Sequence, residues 1–437
     1  MKNGAGFWTS ETQMYYDRNK IVRAEGCYLW DENGKQYLDG ISGMWNVFLG
    51  HGRKEFAEAL SAQTLQLDYM PNMRFYHGQG ERLADRLTNL LPEKFSHVYF
   101  TSGGAEAVET SLKIARQYWY NRNFGNKTKY ISLYESYHGT TLGAMSVSGD
   151  PWDRIPFNPL LYNGIHTYPQ YCYKCKLGLS KEHCHFACLK DLEYQIDFYG
   201  AENIAAFILE PVMGVGGVII PDKEYLERIV HLCREKEILL IFDEITSGIG
   251  RTGTYFACMQ YEIYPDIILF GKGISNGIQP LAGAIVKDKI FDIFCTEKIE
   301  EQFRHGFTNS GHPVCCTAGN IMLDIMKSED INRTCSEKGL LFKKKIEDLK
   351  KEVDFIGEIR VIGLMIAIEL VCPRTSEGLN IPGLDFYLKQ QGLLVSQLCQ
   401  VVCLMPSVII SEDQMDDMLR ILKTAIKTNI EKAGFSK

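Results

Sequence analysis

No apolar run in this chain of 437 residues is long enough to span a bilayer, and no basic N-terminus leads into the apolar core of a secretion signal. The expectation is a cytoplasmic protein off the membrane. An excess of positive charge is also missing: 47 Lys and Arg stand against 54 Asp and Glu, a net −7, which gives no reason to expect nucleic acid or an anionic lipid surface. No internal repeat or low-complexity segment stands out. The 14 cysteines lack the spacing of a disulfide framework in a small secreted chain, so reduced thiols in a cytosol are expected. What remains is an ordinary globular composition, 45% hydrophobic, in a chain long enough for two lobes or one large and one small domain.

The chain is organised around the stretch from Ile238 to Lys272. An apolar run, Ile238 to Phe242, ends abruptly in Asp243 and Glu244. Gly248, Gly250, Arg251, Thr252 and Gly253 follow, then a helix-like segment, then a second apolar run, Asp266 to Phe270, that stops at Gly271-Lys272-Gly273. Short apolar runs with such punctuation read as strands buried on both faces of a parallel sheet. Both deliver an ionisable residue at the carboxyl end, where open α/β sheets bind ligands. An acid and a lysine side by side suit pyridoxal phosphate (PLP), which needs a lysine for its aldehyde and a carboxylate for its ring nitrogen.

The rest of the chain supports a mixed α/β fold. Residues 1–25 are mixed, with aromatic anchors Phe7, Trp8, Tyr15 and Tyr16. Cys27 to Asp39 alternates about Asn33-Gly34, a hairpin signal. Trp45 sits in a Gly-rich loop, as a packing residue or a substrate-pocket wall. Helical patterns run from about Lys54 to Leu67 and from Gly80 to Leu91. The strand-like His97–Phe100 leads through Gly103, Gly104 and Ala105 into a helix that continues towards Tyr120. Glycines at such a turn either cradle a phosphate or merely tighten the chain. Lys129–Tyr134 reads as a strand before Tyr137-His138-Gly139, where an aromatic would either stack on a flat ring or fill core. Ile204–Leu209 ends at Glu210, and Leu281–Val286 is strand-like. Arg304 to Pro313 is polar and turn-rich. A long helix is expected from about Ala318, then a charged stretch from Lys343 to Lys351, strands over Val361–Leu370 and Leu393–Ser396, and a final helix near Asp413–Ile430. A domain change falls between about Pro313 and Lys345.

One insert, residues 168–190, breaks the alternation. Cys172, Cys175, Cys184 and Cys188, with His183 and His185 nearby, have spacings compatible with a structural zinc site. The alternative is four reduced cysteines in an ordered loop.

With these residues located, the chain resembles the class III aminotransferases, the fold-type I PLP family that includes ω-amino acid:pyruvate and diaminopelargonate transaminases. The likeness runs from Tyr37–Gly40 and Gly43-Met44-Trp45 to Met405-Pro406. Its most specific elements are Asp243-Glu244-Ile245, Gly250-Arg251-Thr252-Gly253 and Gly271-Lys272-Gly273. It implies a mainly parallel, seven-stranded sheet in a large domain (61–325) and a small α+β domain from both chain ends (1–60 and 326–437). Lys272 would hold the cofactor and shuttle the substrate's proton, and Asp243 would keep the ring nitrogen protonated. Gly103, Gly104 and Ala105 would present N–H groups to the phosphate. Tyr137, with His138 beside it, would stack on the ring and Ile245 would cover the opposite face. Glu210 matches a position just behind the cofactor. Phe307 and Thr308 match a segment that reaches the neighbouring subunit's phosphate, which implies a homodimer with shared sites.

Two departures bear on substrate. The arginine that in relatives grips a substrate carboxylate is Ser396 here, with Arg53, Arg74 and Arg304 as candidate replacements, and Asn309 stands where a tyrosine is common. Transamination between an amine or ω-amino acid and a keto acid or aldehyde, by a ping-pong route, is the leading expectation, with Trp45 and Tyr137 walling the pocket. A racemase, epimerase, aminomutase or decarboxylase would use the same Lys272 and Asp243. A scaffold on a degenerate aminotransferase fold would be free to lose that pair.

Overall fold

The structure, a computed structural model, describes residues 19–432 except Glu93 and Asn163. Phe7, Trp8, Tyr15 and Tyr16 therefore lie outside the described residues. The strands in chain order are β1 (Ile21–Glu25), β2 (Tyr28–Asp31), β3 (Gln36–Asp39), β4 (Phe95–Thr101), β5 (Lys129–Leu133), β6 (Ile165–Thr167), β7 (Ile204–Leu209), β8 (Leu239–Asp243), β9 (Ile267–Phe270), β10 (Ala282–Lys287), β11 (Ile356–Ile362), β12 (Met365–Leu370), β13 (Leu393–Leu394), β14 (Ser396–Leu398) and β15 (Val401–Leu404).

The core is a seven-stranded sheet in the order β4-β10-β9-β8-β7-β5-β6. Strands β6, β5, β7, β8 and β9 run parallel, and β10 lies antiparallel between β9 and β4. Every residue of β7, β8 and β9 is buried, as their unbroken apolar runs require. The helix Gly104–Asn121 follows β4 and lays Val108, Leu112 and Ala115 on one face of this sheet.

Two further four-stranded sheets flank it, β1-β2-β3-β13 and β11-β12-β15-β14. Leu393 pairs in parallel with Leu38, so the two ends of the chain share one sheet. Among the described residues, no helix is long and apolar enough to cross a membrane.

Three sequence expectations change. The span Val361–Leu370 is a hairpin rather than one strand, broken where Gly363 takes φ +53° between β11 and β12. The helix expected from Ala318 starts at Pro313, which supplies the fixed φ of a first helical position, and the charged stretch from Lys343 lies inside a second helix, Ile331–Lys350. Leu393–Ser396 is split between β13 and β14, which belong to different sheets.

Candidate active site

Strands β8 and β9 are hydrogen-bonded neighbours, with Asp243 registered against Leu269. The two ionisable residues that follow these strands therefore arrive at one edge of the sheet. Asp243 is 4% exposed. Its Oδ1 accepts the Ile245 N–H at 3.1 Å, and its Oδ2 lies 2.7 Å from His138 Nδ1. An ionised carboxylate only accepts, so His138 carries a proton on Nδ1; its Nε2 is buried with no protein partner. The adjacent Glu244 goes elsewhere. It accepts N–H bonds from Ala257 and Cys258 and the Ser247 hydroxyl, and so caps the short helix Ala257–Tyr261.

Lys272 leaves β9 through Gly271 with φ +43°, a strained conformation for a long side chain. Its Nζ donates to Thr246 Oγ1 at 2.6 Å and lies 5.2 Å from the centroid of the Trp45 ring. Burial pushes the Lys272 ammonium below its ordinary range; Asp243 and Glu210 pull the other way, and the Arg251 cation adds to the depression. The lowered pKa makes the neutral, nucleophilic amine easier to reach than for an exposed lysine.

The turn after β4 closes the site from another side. The helix Gly104–Asn121 opens with Gly103 at its cap position and no side chain bonded to its free N–H groups, so the positive helix end is open to an anion. The turn is closely packed: a Cβ on Gly104 would come within 3.0 Å of Ile245 Cδ1, and one on Gly139 within 2.7 Å of the Ala105 Cβ. Ile245, Ala105 and the Tyr137-His138-Gly139 loop thus converge around the end of β8. Buried Glu210 fixes that loop by accepting the Tyr137 N–H at 3.1 Å, and it also accepts the Gly214 N–H at 2.8 Å. Burial, with Asp243 adding, raises the Glu210 carboxyl; burial also raises the half-buried Tyr137 phenol.

Trp45 is 6% exposed and backs onto Gly214, where an added Cβ would lie 3.4 Å from its Cζ3. The residues expected to gather around a PLP ring are therefore together: a buried amine, a buried carboxylate, an uncapped helix end and flanking apolar and aromatic side chains. This donor set fits PLP.

Some expected residues are not brought in. Phe307 is half-buried and Thr308 exposed on a loop where the Thr308 carbonyl accepts the Tyr69 hydroxyl at 2.9 Å; among the described residues no hydrogen bond or ring contact joins either to Lys272 or Asp243. Arg53 is engaged by Glu55 and Glu329, and Arg74 and Arg304 are exposed. Cys172, Cys175, Cys184 and Cys188 line one cleft of about 410 Å³ with Lys181 and Asp222, all as free thiols. Among the described residues, no group of three or more His, Cys, Asp or Glu is placed to hold a metal ion, so the structure lends the zinc reading no support. Two residues with contacts at the site escaped the sequence reading. Thr246, the partner of the Lys272 amine, carries no sequence signal, while Arg251 stood in a quoted motif without a role.

The model of the family described as "Aminotransferase class-III" matches residues 10–426. The adenosylmethionine-8-amino-7-oxononanoate aminotransferase of Methanocaldococcus jannaschii is 34% identical over 96% of this chain and 96% of its own. An omega-amino acid–pyruvate aminotransferase of Pseudomonas putida is 33% identical over 86% and 84%. The fold superposes with a TM-score of 0.92 on an amine transaminase from an uncultivated Pseudomonas species in its PLP-bound form, at 32% identity and covering 98% and 99% of the two chains. The chain belongs to the class III aminotransferases: it is a PLP-dependent transaminase of fold type I.

Proposed function

We propose that this transaminase takes its amino group from an ω-amino acid or simple amine and passes it to a keto acid or aldehyde, with Lys272 and Asp243 as the catalytic pair. The observation that carries the reading is the delivery of a buried amine and a buried carboxylate by adjacent parallel strands. Bound PLP supplies an electron sink for the carbon that loses its proton. Lys272, held by Thr246, moves that proton. Asp243, oriented by His138 and Ile245, keeps a proton on the ring nitrogen; in a shielded site such an ion pair is stronger than in water. Gly103, Gly104 and Ala105 offer N–H groups to the phosphate, Tyr137 and Ile245 cover the two ring faces, and Glu210 holds the Tyr137 loop.

The donor class rests on the Trp45 and Tyr137 walls, on Ser396 in place of a carboxylate-gripping arginine, and on the relatives' names. A homodimer is supported by an exposed apolar group, Leu65 (88%), Met73 (92%) and Tyr76 (81%), whose neighbours Tyr69 and Asn72 bond the loop that carries Phe307 and Thr308. Residues 61–325 form the large domain in this reading, and 1–60 with 326–437 the small one. The free thiols suit the cytoplasm.

The test is a coupled assay with β-alanine and benzylamine as donors and pyruvate as acceptor. Donor-dependent formation of alanine, lost in Lys272→Ala, is expected. Enantiomer exchange of an amino acid without any keto acceptor would instead point to a racemase.

A further inference from the structure

Arg251 is among the largest fully buried side chains of the protein, and among the described residues no carboxylate pairs with it. A guanidinium in that position is costly unless its donors are satisfied. They are met by three backbone carbonyls and one hydroxyl from two distant parts of the chain. Nη1 donates to the carbonyls of Pro406 at 2.6 Å and Met405 at 3.3 Å. Nη2 donates to Ser42 Oγ at 3.0 Å and, at a longer 3.4 Å, to the Trp45 carbonyl. The plane packs 4.4 Å from the Phe48 ring centroid. Ser42 closes the loop by donating its hydroxyl to the Met405 carbonyl at 2.7 Å.

The segment so held is strained. Ser42, Gly43 and Trp45 have φ of +42°, +72° and +65°, and two of these are not glycine. Such a conformation persists only where the surroundings impose it. Its consequence is the position of the Trp45 indole against Lys272 Nζ.

We propose that Arg251 is a positioning residue that sets donor selectivity, by clamping the strained Ser42–Trp45 segment to the Met405–Pro406 backbone and so fixing the indole wall over the Lys272 amine. This rests on the reading of Trp45 as a pocket wall. A lysine keeps the charge but lacks the fork that reaches both partners at once. Arg251→Lys therefore leaves the wall free to relax, and the pocket admits larger donors.

The experiment compares wild type, Arg251→Lys, Trp45→Ala and the double variant with β-alanine and benzylamine. A second readout is amide hydrogen exchange of residues 42–47 in cofactor-free protein. Arg251→Lys is expected to raise the kcat/KM ratio of benzylamine over β-alanine about tenfold, mostly through KM. In the Trp45→Ala background the same substitution should change the ratio less than about twofold, because the two act as one unit. Exchange at 42–47 should quicken. An unchanged ratio and unchanged exchange in Arg251→Lys overturn the proposal, as does an equal shift in the Trp45→Ala background. If Arg251→Lys fails to fold, Ser42→Ala removes the same clamp more gently, and an unchanged ratio there has the same force. A Trp45→Ala protein with wild-type selectivity overturns the wall reading and this proposal with it. Failure of wild type to use either donor counts against the donor class alone, and the exchange arm then decides the clamp.

Discussion

In the proposed mechanism Lys272 acts as a base and nucleophile, which requires that its proton leave easily, and its surroundings favour that. Burial outweighs the attraction of Asp243 and Glu210, so its pKa lies below the ordinary 10.5. A lowered pKa enlarges the neutral fraction at any pH beneath it, so reactivity rises earlier on the alkaline side. We predict that labelling of Lys272 by an amine-reactive reagent in cofactor-free protein, read by peptide mass analysis, reaches half its maximal rate below pH 10.5; a midpoint at or above that value contradicts the account. In the proposed mechanism Asp243 is the partner of the ring nitrogen, and Asp243→Asn should lower kcat by at least about a hundredfold, a loss typical of removing one aimed electrostatic partner. Retained activity with a normal visible spectrum would count against its role. At this scale the sequence was informative where position along a strand decides everything. Asp243 and Lys272 stand at the ends of apolar runs and were legible for that reason. Glu244 stands beside Asp243 and is spent on capping a helix, which depends on how the chain returns at Ala257. The use of Arg251 was hidden for the same kind of reason, because its partners are backbone carbonyls more than 150 positions away.

Among the elements, the insert between β6 and β7 has the least obvious purpose, and its contacts supply one. Tyr171 bonds Glu369, Lys174 pairs with Glu369 at 2.9 Å, and Arg360, also paired with Glu369 at 2.8 Å, donates through Nε to the Gly217 carbonyl at 2.9 Å. Lys176 adds an ion pair to Glu135, two residues before Tyr137. The insert thus straps the β11-β12-β15-β14 sheet to the loops behind the site. Glu369 is buried, and removing it leaves Lys174 without a carboxylate and the buried Arg360 with Glu358 alone, so Glu369→Ala should cost about 3 kcal/mol in urea unfolding. A loss below about 1 kcal/mol would show the strap to be incidental. Since the described residues show no group placed to hold an ion, dialysis against a strong chelator should leave the thermal midpoint unchanged; a clear drop would support the zinc reading. The spacing of these cysteines is compatible with a metal motif, but spacing alone carries no information on where the sulfurs point. The hairpin at Gly363 was missed because both arms are apolar and the turn is only Gly363-Leu364. By contrast the Asn33-Gly34 turn was readable, since local chemistry fixes it.

At the scale of the whole molecule, the single chain leaves Phe307 and Thr308 outside its own site and a set of large apolar side chains uncovered beside them. If two chains share sites, a Lys272→Ala chain supplies intact Phe307 and Thr308 to a partner, and a Thr308→Asp chain supplies intact Lys272. Mixing the two inactive variants under conditions of subunit exchange should then restore about half of the wild-type activity per mixed dimer, or about a quarter across a fully exchanged equimolar mixture; no recovery, with exchange verified by mass, would contradict the shared-site arrangement. The central claim is the chemistry of Lys272 with PLP, and its most direct test is the absorption spectrum of the purified protein, read while amines and amino acids are added one at a time. The account predicts a visible band that is absent in Lys272→Ala, that bleaches towards the near ultraviolet with ω-amino acids or simple amines, and that returns on adding pyruvate. A protein that binds no PLP after reconstitution, or whose band persists unchanged with every donor, would contradict it.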